Sequence, residues 1–275
     1  MLDAWIAERM GLSGPLTREA LERRQLEWLN DTLAYAAAHS SFYREKLPLT
    51  HADSLADFAR LPFTTPEEVK ADGHRMVCVS GAEVERIVTV LETSGSSGRP
   101  KRVCFTAAEQ EDTVDYFHHG MLEFAAPGDT VLILFPGVSP GSMNQLLGEA
   151  LRRMGAEPVI FGFPKAADYP AVLECIFARQ PRRLVGPPFV LAALAEYSRS
   201  RGLAERVAGI VDSVLLAGSF VSETHCRTLT DCWHCRIDEE YGMTETGLAG
   251  GVGCRIAGGY HLWESDLYYE VVDPD

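Results

Sequence analysis

Apolar positions over residues 17–39 recur with helical spacing. Leu21, Leu26, Leu29, Leu33 and Ala36 fall on or near one face, and Pro15 and Thr17 supply start signals, so the pattern predicts a helical lead-in. Residues 40–73 are broken by Pro48, Pro62 and Pro66, which predicts short helices and turns, with Thr65 capping a helix that begins at Pro66. From residue 84 short β-rich runs alternate with helical lengths. VERIVTVLE, TVLILF, EPVIFG, RRLVG, DSVLLAG and RIDEEYG predict strands, and the segments near 107–125, 142–154, 167–179, 188–201 and 222–231 predict the helices between them. Continuous apolar strands belong in sheets covered on both faces. The expected fold class is therefore α/β, mostly parallel, with helices on both faces and the helical lead-in ahead of it. The tail GGYHLWESDLYYEVVDPD alternates, which predicts one or two antiparallel strands beginning a second, smaller sheet. The expected organisation is a lead-in and wrap over 1–83, an α/β core over 84–253 and the start of a β subdomain over 254–275. The Gly-rich stretch from Gly247 to Gly259 reads as a loop at the site.

Charge narrows the partners. The 275 residues hold 25 Lys and Arg against 39 Asp and Glu, a formal net charge of -14, so the overall field repels a phosphate backbone and argues against nucleic acid. The first residues lack the zones of a signal peptide, and no run reaches the ~18 apolar residues of a membrane span. The 7 cysteines are odd in number and scattered, which suits reduced thiols. A cytoplasmic protein without a membrane partner is expected.

The densest chemistry follows the first predicted strand: Thr93, Ser94, Gly95, Ser96, Ser97, Gly98, Arg99, Pro100 and Lys101. Glycines let backbone N–H groups turn toward a phosphate, hydroxyls add donors, and cations balance charge. The spacing matches neither the Walker P-loop nor the dinucleotide Gly-x-Gly-x-x-Gly pattern. A surface turn without a ligand has the same composition, and both readings stay open on composition alone.

TSGSSGRPK closely resembles the phosphate loop of the AMP-forming adenylate enzymes, the superfamily of acyl-CoA ligases, luciferases and peptide-synthetase adenylation domains. The run Tyr241, Gly242, Met243, Thr244, Glu245 resembles that superfamily's Tyr-Gly-x-Thr/Ser-Glu element, at the end of a predicted strand where an α/β sheet places ligands. SSFYREKL, LPFTTPEEV and GYHLWESDLYYEVVDP are similar to segments of phenylacetate-CoA ligases, so the likeness spans about residues 40–275.

The resemblance implies ATP, Mg²⁺ and coenzyme A as cofactors and a small-molecule carboxylic acid, aromatic by family expectation, as substrate. It implies that Thr93–Gly98 and Lys101 hold the β and γ phosphates, and that Ala217, Gly218 and Ser219 line adenine. Tyr241 would stack on the base within the Tyr241, Gly242, Met243 run, Thr244 would contact the α-phosphate, and Glu245 would hold Mg²⁺. Lys101, Thr244 and Glu245 are the catalytic candidates. Where relatives carry Gly-Ala-Glu or Gly-Gly-Glu this chain has Ala217-Gly218-Ser219, which loses a carboxylate. Phe135, Gly137, Gly186, Pro187 and Pro188 follow two predicted strands at one sheet edge and are the candidate acid pocket; ordinary turn residues would look the same.

Relatives continue into a ribose-binding Thr-Gly-Asp, a hinge and a mobile C-terminal domain with a catalytic Lys, none of which this sequence contains. Three explanations are open: a gene fragment, a split enzyme completed by a second polypeptide carrying that domain, and a pared-down protein with a changed role; a homodimer is a separate partner expectation. A non-catalytic interaction or regulatory protein that keeps the nucleotide-binding fold is the alternative function.

Cys232 and Cys235 have metal-ligand spacing, and Cys254 and His261 follow, so a four-ligand Zn²⁺ site can be drawn from them. Core thiols with a surface His are the competing reading. A redox Cys-x-x-Cys fits less well, because this pair precedes a strand rather than opening a helix after one.

Overall fold

The structure, a computed structural model, describes residues 2–90, 101–137, 139–254 and 258–273. The chain divides into two compact units, one built from Asp3–Glu109 with Glu264–Asp275, the other from Gln110–Trp263 with the first two residues.

The first of these holds the helical lead-in: α1 (Leu2–Arg9), α2 (Arg18–His39), α3 (Ser41–Lys46) and α4 (Pro66–Met76). Helix starts follow the expected chemistry. Thr17 accepts the Ala20 N–H at 3.2 Å, and Thr65 forms a reciprocal capping box with Glu68 ahead of Pro66. Leu33, Ala52 and Phe58 form a buried cluster, with Leu26, Leu29 and Tyr268 packed against it. β1 (Val84–Val90) and β2 (Lys101–Thr106) pair antiparallel, with Val90 opposite Lys101 and Ile87 opposite Cys104. β2 has no counterpart in the sequence reading, because only Phe105 in it is fully buried and its first residues are cationic.

The second unit begins within α5 (Ala107–Met121) and continues β3 (Thr130–Ile133), α6 (Met143–Arg153), β4 (Glu157–Ile160), α7 (Tyr169–Arg179), β5 (Arg183–Gly186), α8 (Pro188–Ser200), α9 (Ala204–Ala208), β6 (Ser213–Leu216), α10 (Glu223–Trp233), β7 (Arg236–Gly242), β8 (Gly250–Gly253) and β9 (Tyr260–Leu262). The sheet order is β4-β3-β5-β6-β7-β8-β9, with β4 to β7 parallel and the last two strands antiparallel. This is the mostly parallel α/β architecture that the apolar runs predict. Leu132, Leu184, Val214, Leu191 and Trp233 lie in its core, and Trp233 Nε1 donates to the buried Ser198 hydroxyl at 3.0 Å.

The tail corrects the sequence reading in one respect. β9 begins inside the alternating stretch, yet it pairs with β8 and extends the main sheet instead of opening a second one. Residues 263–273 form no strand. Side chains of the lead-in hold that segment instead: Gln25 Nε2 donates to the Glu264 carbonyl at 2.9 Å, and Arg9 binds both carboxylate oxygens of Asp266 at 2.7 and 2.8 Å.

The stretch from Gly247 also departs from a simple loop, since Gly250–Gly253 is a strand. Its neighbours approach too closely for side chains. A Cβ on Gly250 would lie 2.7 Å from the Tyr241 carbonyl oxygen, and one on Gly251 would lie 3.0 Å from a Leu262 methyl. Glycine's low strand propensity hides such a strand from pattern reading.

Candidate nucleotide and acid site

In a parallel sheet, loops after the carboxyl ends of neighbouring strands converge. β6 and β7 are such neighbours, in register with Leu216 opposite Glu239. Just beyond this pair a cleft of about 400 Å³ opens, lined by Gly218, Ser219, Phe220, Val221, Glu239, Glu240, Tyr241, Gly242 and Tyr260. The structure thus brings Gly218 and Ser219 together with Tyr241 and Gly242. Gly218 has φ +79°, a left-handed backbone that side chains rarely adopt, and a Cβ there would lie 3.3 Å from the Phe135 ring. The turn is therefore narrow, and its backbone faces the cleft.

Sequence reasoning did not single out Phe220, Val221, Glu239, Glu240 or Tyr260 among the lining groups. Phe220 is 85% exposed, and the Tyr260 ring lies 6.3 Å from that of Tyr241. Tyr260 Oη donates to Glu239 Oε2 at 2.9 Å, and burial, then this carboxylate, pushes its phenol up to about 12. Glu240 keeps a partly exposed flank in the cleft while its Oε1 is sealed from water, and burial pushes its carboxyl up to about 8. The signal available in the sequence was the acidic run Asp238-Glu239-Glu240 entering a β-strand.

Beyond Gly242, Thr244–Thr246 form a 3-10 turn with Glu245 exposed on it. Thr246 ties the turn down: its hydroxyl accepts the Met243 N–H at 3.1 Å and donates to the Ala249 carbonyl. The Thr113 hydroxyl, on α5, donates to the Gly247 carbonyl at 2.8 Å. Glu245 thereby sits exposed on a braced turn, and its carboxylate chemistry fits a hard cation. Lys101 opens β2 in the other unit, and Thr93, Ser94, Gly95, Ser96, Ser97 and Gly98 lie outside the described residues.

Phe135 and Gly137 follow β3, where Asn144 Nδ2 donates to both carbonyls at 2.6 and 2.8 Å. Gly137 has φ +106°, and a Cβ on it would lie 2.6 Å from Ser142 Cβ. Gly186 ends β5, and Pro187 and Pro188 lead into α8, all three buried. A separate apolar cavity of about 20 Å³ lies among α5, α6 and the strands. Tyr116, Phe117, Met143, Leu215, Ala217 and Glu240 are in its wall, which contains none of the five acid-pocket candidates. The helices that wall this cavity are far from the β6 and β7 motifs in sequence, which is why spacing did not find them.

The sequence model of the AMP-binding enzyme family matches residues 35–266. The chain belongs to the AMP-binding enzyme family. This AMP-binding family member is 25% identical over 283 residues to the phenylacetate-coenzyme A ligase of Thermus thermophilus, across 94% of this chain and 59% of that protein. Its fold matches a 2-hydroxyisobutyryl-CoA ligase in an open conformation in complex with 2-HIB-AMP and CoA, with a TM-score of 0.81 and 20% identity over 94% of this chain and 58% of that one. The same ligase in the thioesterification state matches with a TM-score of 0.78 and 20% identity, over 90% of this chain and 55% of the other. The chain therefore spans somewhat over half the length of the relatives it matches.

The zinc expectation is corrected. Among the described residues no group of three or more His, Cys, Asp or Glu is placed to hold a metal ion. Cys232 and Cys235 lie instead in the apolar core with Leu229 and Trp233, and burial pushes the Cys235 thiol up to about 11. Cys254 and His261 lie on the β8–β9 side of the sheet. Among the described residues no helix is long and apolar enough to cross a membrane.

Proposed function

We propose that this AMP-binding family member activates a carboxylic acid with ATP and passes the acyl group to the thiol of coenzyme A. The observation that carries the reading is the shared cleft of Gly218, Ser219, Tyr241 and Gly242 at the carboxyl ends of adjacent parallel strands. The relationship to a phenylacetate-coenzyme A ligase supports the reaction type.

In the first step a carboxylate oxygen attacks the α-phosphorus, and pyrophosphate leaves with the electron pair of the broken P–O bond. In the second the thiol sulfur attacks the acyl carbonyl and AMP leaves, the thiol proton passing to solvent. Positioning and charge neutralisation supply most of the catalysis in phosphoryl chemistry. The narrow Gly218 turn lets a planar base approach backbone, and the half-exposed Tyr241 offers it a stacking face. Thr244 is assigned to the α-phosphate, and the Thr93–Gly98 loop with Lys101 to the β and γ phosphates, on the resemblance. Glu245 is assigned to Mg²⁺, which when bound offsets phosphate charge.

The test is calorimetric titration of MgATP into the purified chain and into a folded Glu245→Ala variant. The expected result is saturable binding that weakens at least about tenfold in the variant, some 1.4 kcal/mol. Failure of the parent chain to bind MgATP would overturn the reading.

A further inference from the structure

Three acidic residues run consecutively along β7, and their environments differ. Asp238 receives Arg236 Nε at 2.8 Å, and Glu239 receives the Tyr260 hydroxyl at 2.9 Å. Glu240 Oε1 is buried and has no hydrogen-bond partner among the described residues. A buried carboxyl oxygen left without a partner costs free energy that an apolar side chain at the same position would not.

Its surroundings sharpen the contrast. Glu240 lines the apolar cavity together with Phe117, Met121, Met143, Leu147 and Val252, and among the lining residues it is the one with a carboxyl group. The same residue also lines the cleft that holds Ser219 and Tyr241. Glu240 thus stands at the boundary between the cleft and the cavity behind it. A group extending from the cleft toward the cavity would meet this carboxyl.

We infer that Glu240 selects the acid substrate, pairing with a hydrogen-bond donor, hydroxyl or ammonium, at the far end of a short aliphatic carboxylic acid. This rests on the acid-activating reading above. Donor chemistry follows where the orphaned oxygen is a carboxylate oxygen or the carbonyl oxygen of the neutral carboxyl, and a hydroxyl, which also accepts, serves where that oxygen carries the proton. Burial favours the neutral form, and an ammonium would restore the ionised form through a charge-assisted pair.

Size sets the second half of the specificity. A cavity of about 20 Å³ takes one water-sized group. A terminal hydroxyl or ammonium meets that limit. The aromatic acid of the family expectation would require the lining, Met121 and Met143 included, to move apart.

The experiment titrates 3-hydroxypropanoate, 3-aminopropanoate, butanoate and phenylacetate calorimetrically into the full chain, with and without MgATP, and repeats the series on Glu240→Leu and Glu240→Gln. The expected result is a preference of at least about tenfold for one of the donor-bearing acids over butanoate, lost or reversed in Glu240→Leu. Glu240→Gln separates the two donors: a hydroxyl preference survives the neutral amide, whereas an ammonium preference falls with the lost charge. If Glu240→Leu fails to fold, the Gln variant and the parent series still decide. Equal binding of butanoate, tighter binding of phenylacetate, no binding of any acid, or a donor preference that persists in Glu240→Leu would each overturn the inference. Absence of MgATP binding in the parent would instead strike the acid-activating reading, while the titrations without nucleotide still judge the pocket.

Discussion

Replacing Glu240 with Gln removes one titrating proton and leaves the side-chain shape nearly unchanged, so the consequence for stability can be worked out. The carboxyl titrates at about 8 in the folded chain against an ordinary 4.5. Between these values the unfolded chain has lost a proton that the native chain keeps, so the native state binds more protons and its stability falls as pH rises. Each pH unit costs about 1.4 kcal/mol, and the full window of roughly 3.5 units gives an upper limit on the order of 5 kcal/mol. Because one flank of Glu240 borders the open cleft, water access reduces this, and about 2–4 kcal/mol is the expected span. Urea unfolding of the parent and Glu240→Gln at intervals from pH 5 to 9 measures it. The Gln variant should gain on the parent steadily as pH rises and then hold a constant lead above about pH 8. A stability difference that does not change with pH would refute the claim that this carboxyl is kept neutral by burial.

Two further substitutions test the framework around the cleft. Gly250→Ala places a methyl 2.7 Å from the Tyr241 carbonyl oxygen and 3.1 Å from its ring, so the β7–β8 pair must spread. A loss of about 1–3 kcal/mol in urea unfolding is expected, together with weaker MgATP binding as Tyr241 shifts; unchanged values for both would show that the strands are not packed as described. Trp233→Phe removes the bond to Ser198 and part of a fully buried ring, and should cost about 2–4 kcal/mol by chemical denaturation without changing nucleotide affinity. A loss below about 0.5 kcal/mol would contradict the burial assigned to this side chain.

The legible parts of this chain are those where a local pattern coincides with a physical requirement. TVLILF and DSVLLAG are apolar on both sides because β3 and β6 are interior strands, and Thr65-Pro66 with Glu68 spells out a helix start in four residues. The Gly218 and Tyr241 ends of the cleft were legible because their strands end in recognisable motifs. Other features depend on contacts between distant residues. β8 is nearly all glycine, and only the close approach of Tyr241 and Leu262 explains it. Glu240 reads as one more charge in an acidic run until Phe117 and Met143, well over a hundred and nearly a hundred residues earlier, are seen in the same cavity wall. The paired cysteines mislead for the opposite reason: their spacing suits a metal, while Cys232 on α10 and Cys235 just after it are both buried in the core.

The clasp between Arg9 and Asp266 closes a separation of 257 residues, and Gln25 reaches Glu264 across 239. As the chain leaves the ribosome, α1 and α2 therefore emerge long before the segment they hold, and the residues of the sheet-bearing unit are made in between. Translation order and assembly order diverge. Ala52 and Phe58 can cover Leu33 early, but the contacts of the helices with Glu264, Asp266 and Tyr268 must wait, and such distant contacts slow folding. Slower elongation past Trp263 would lengthen that wait, whereas changes within the sheet's strands would alter what is already folded when the clasp finally closes.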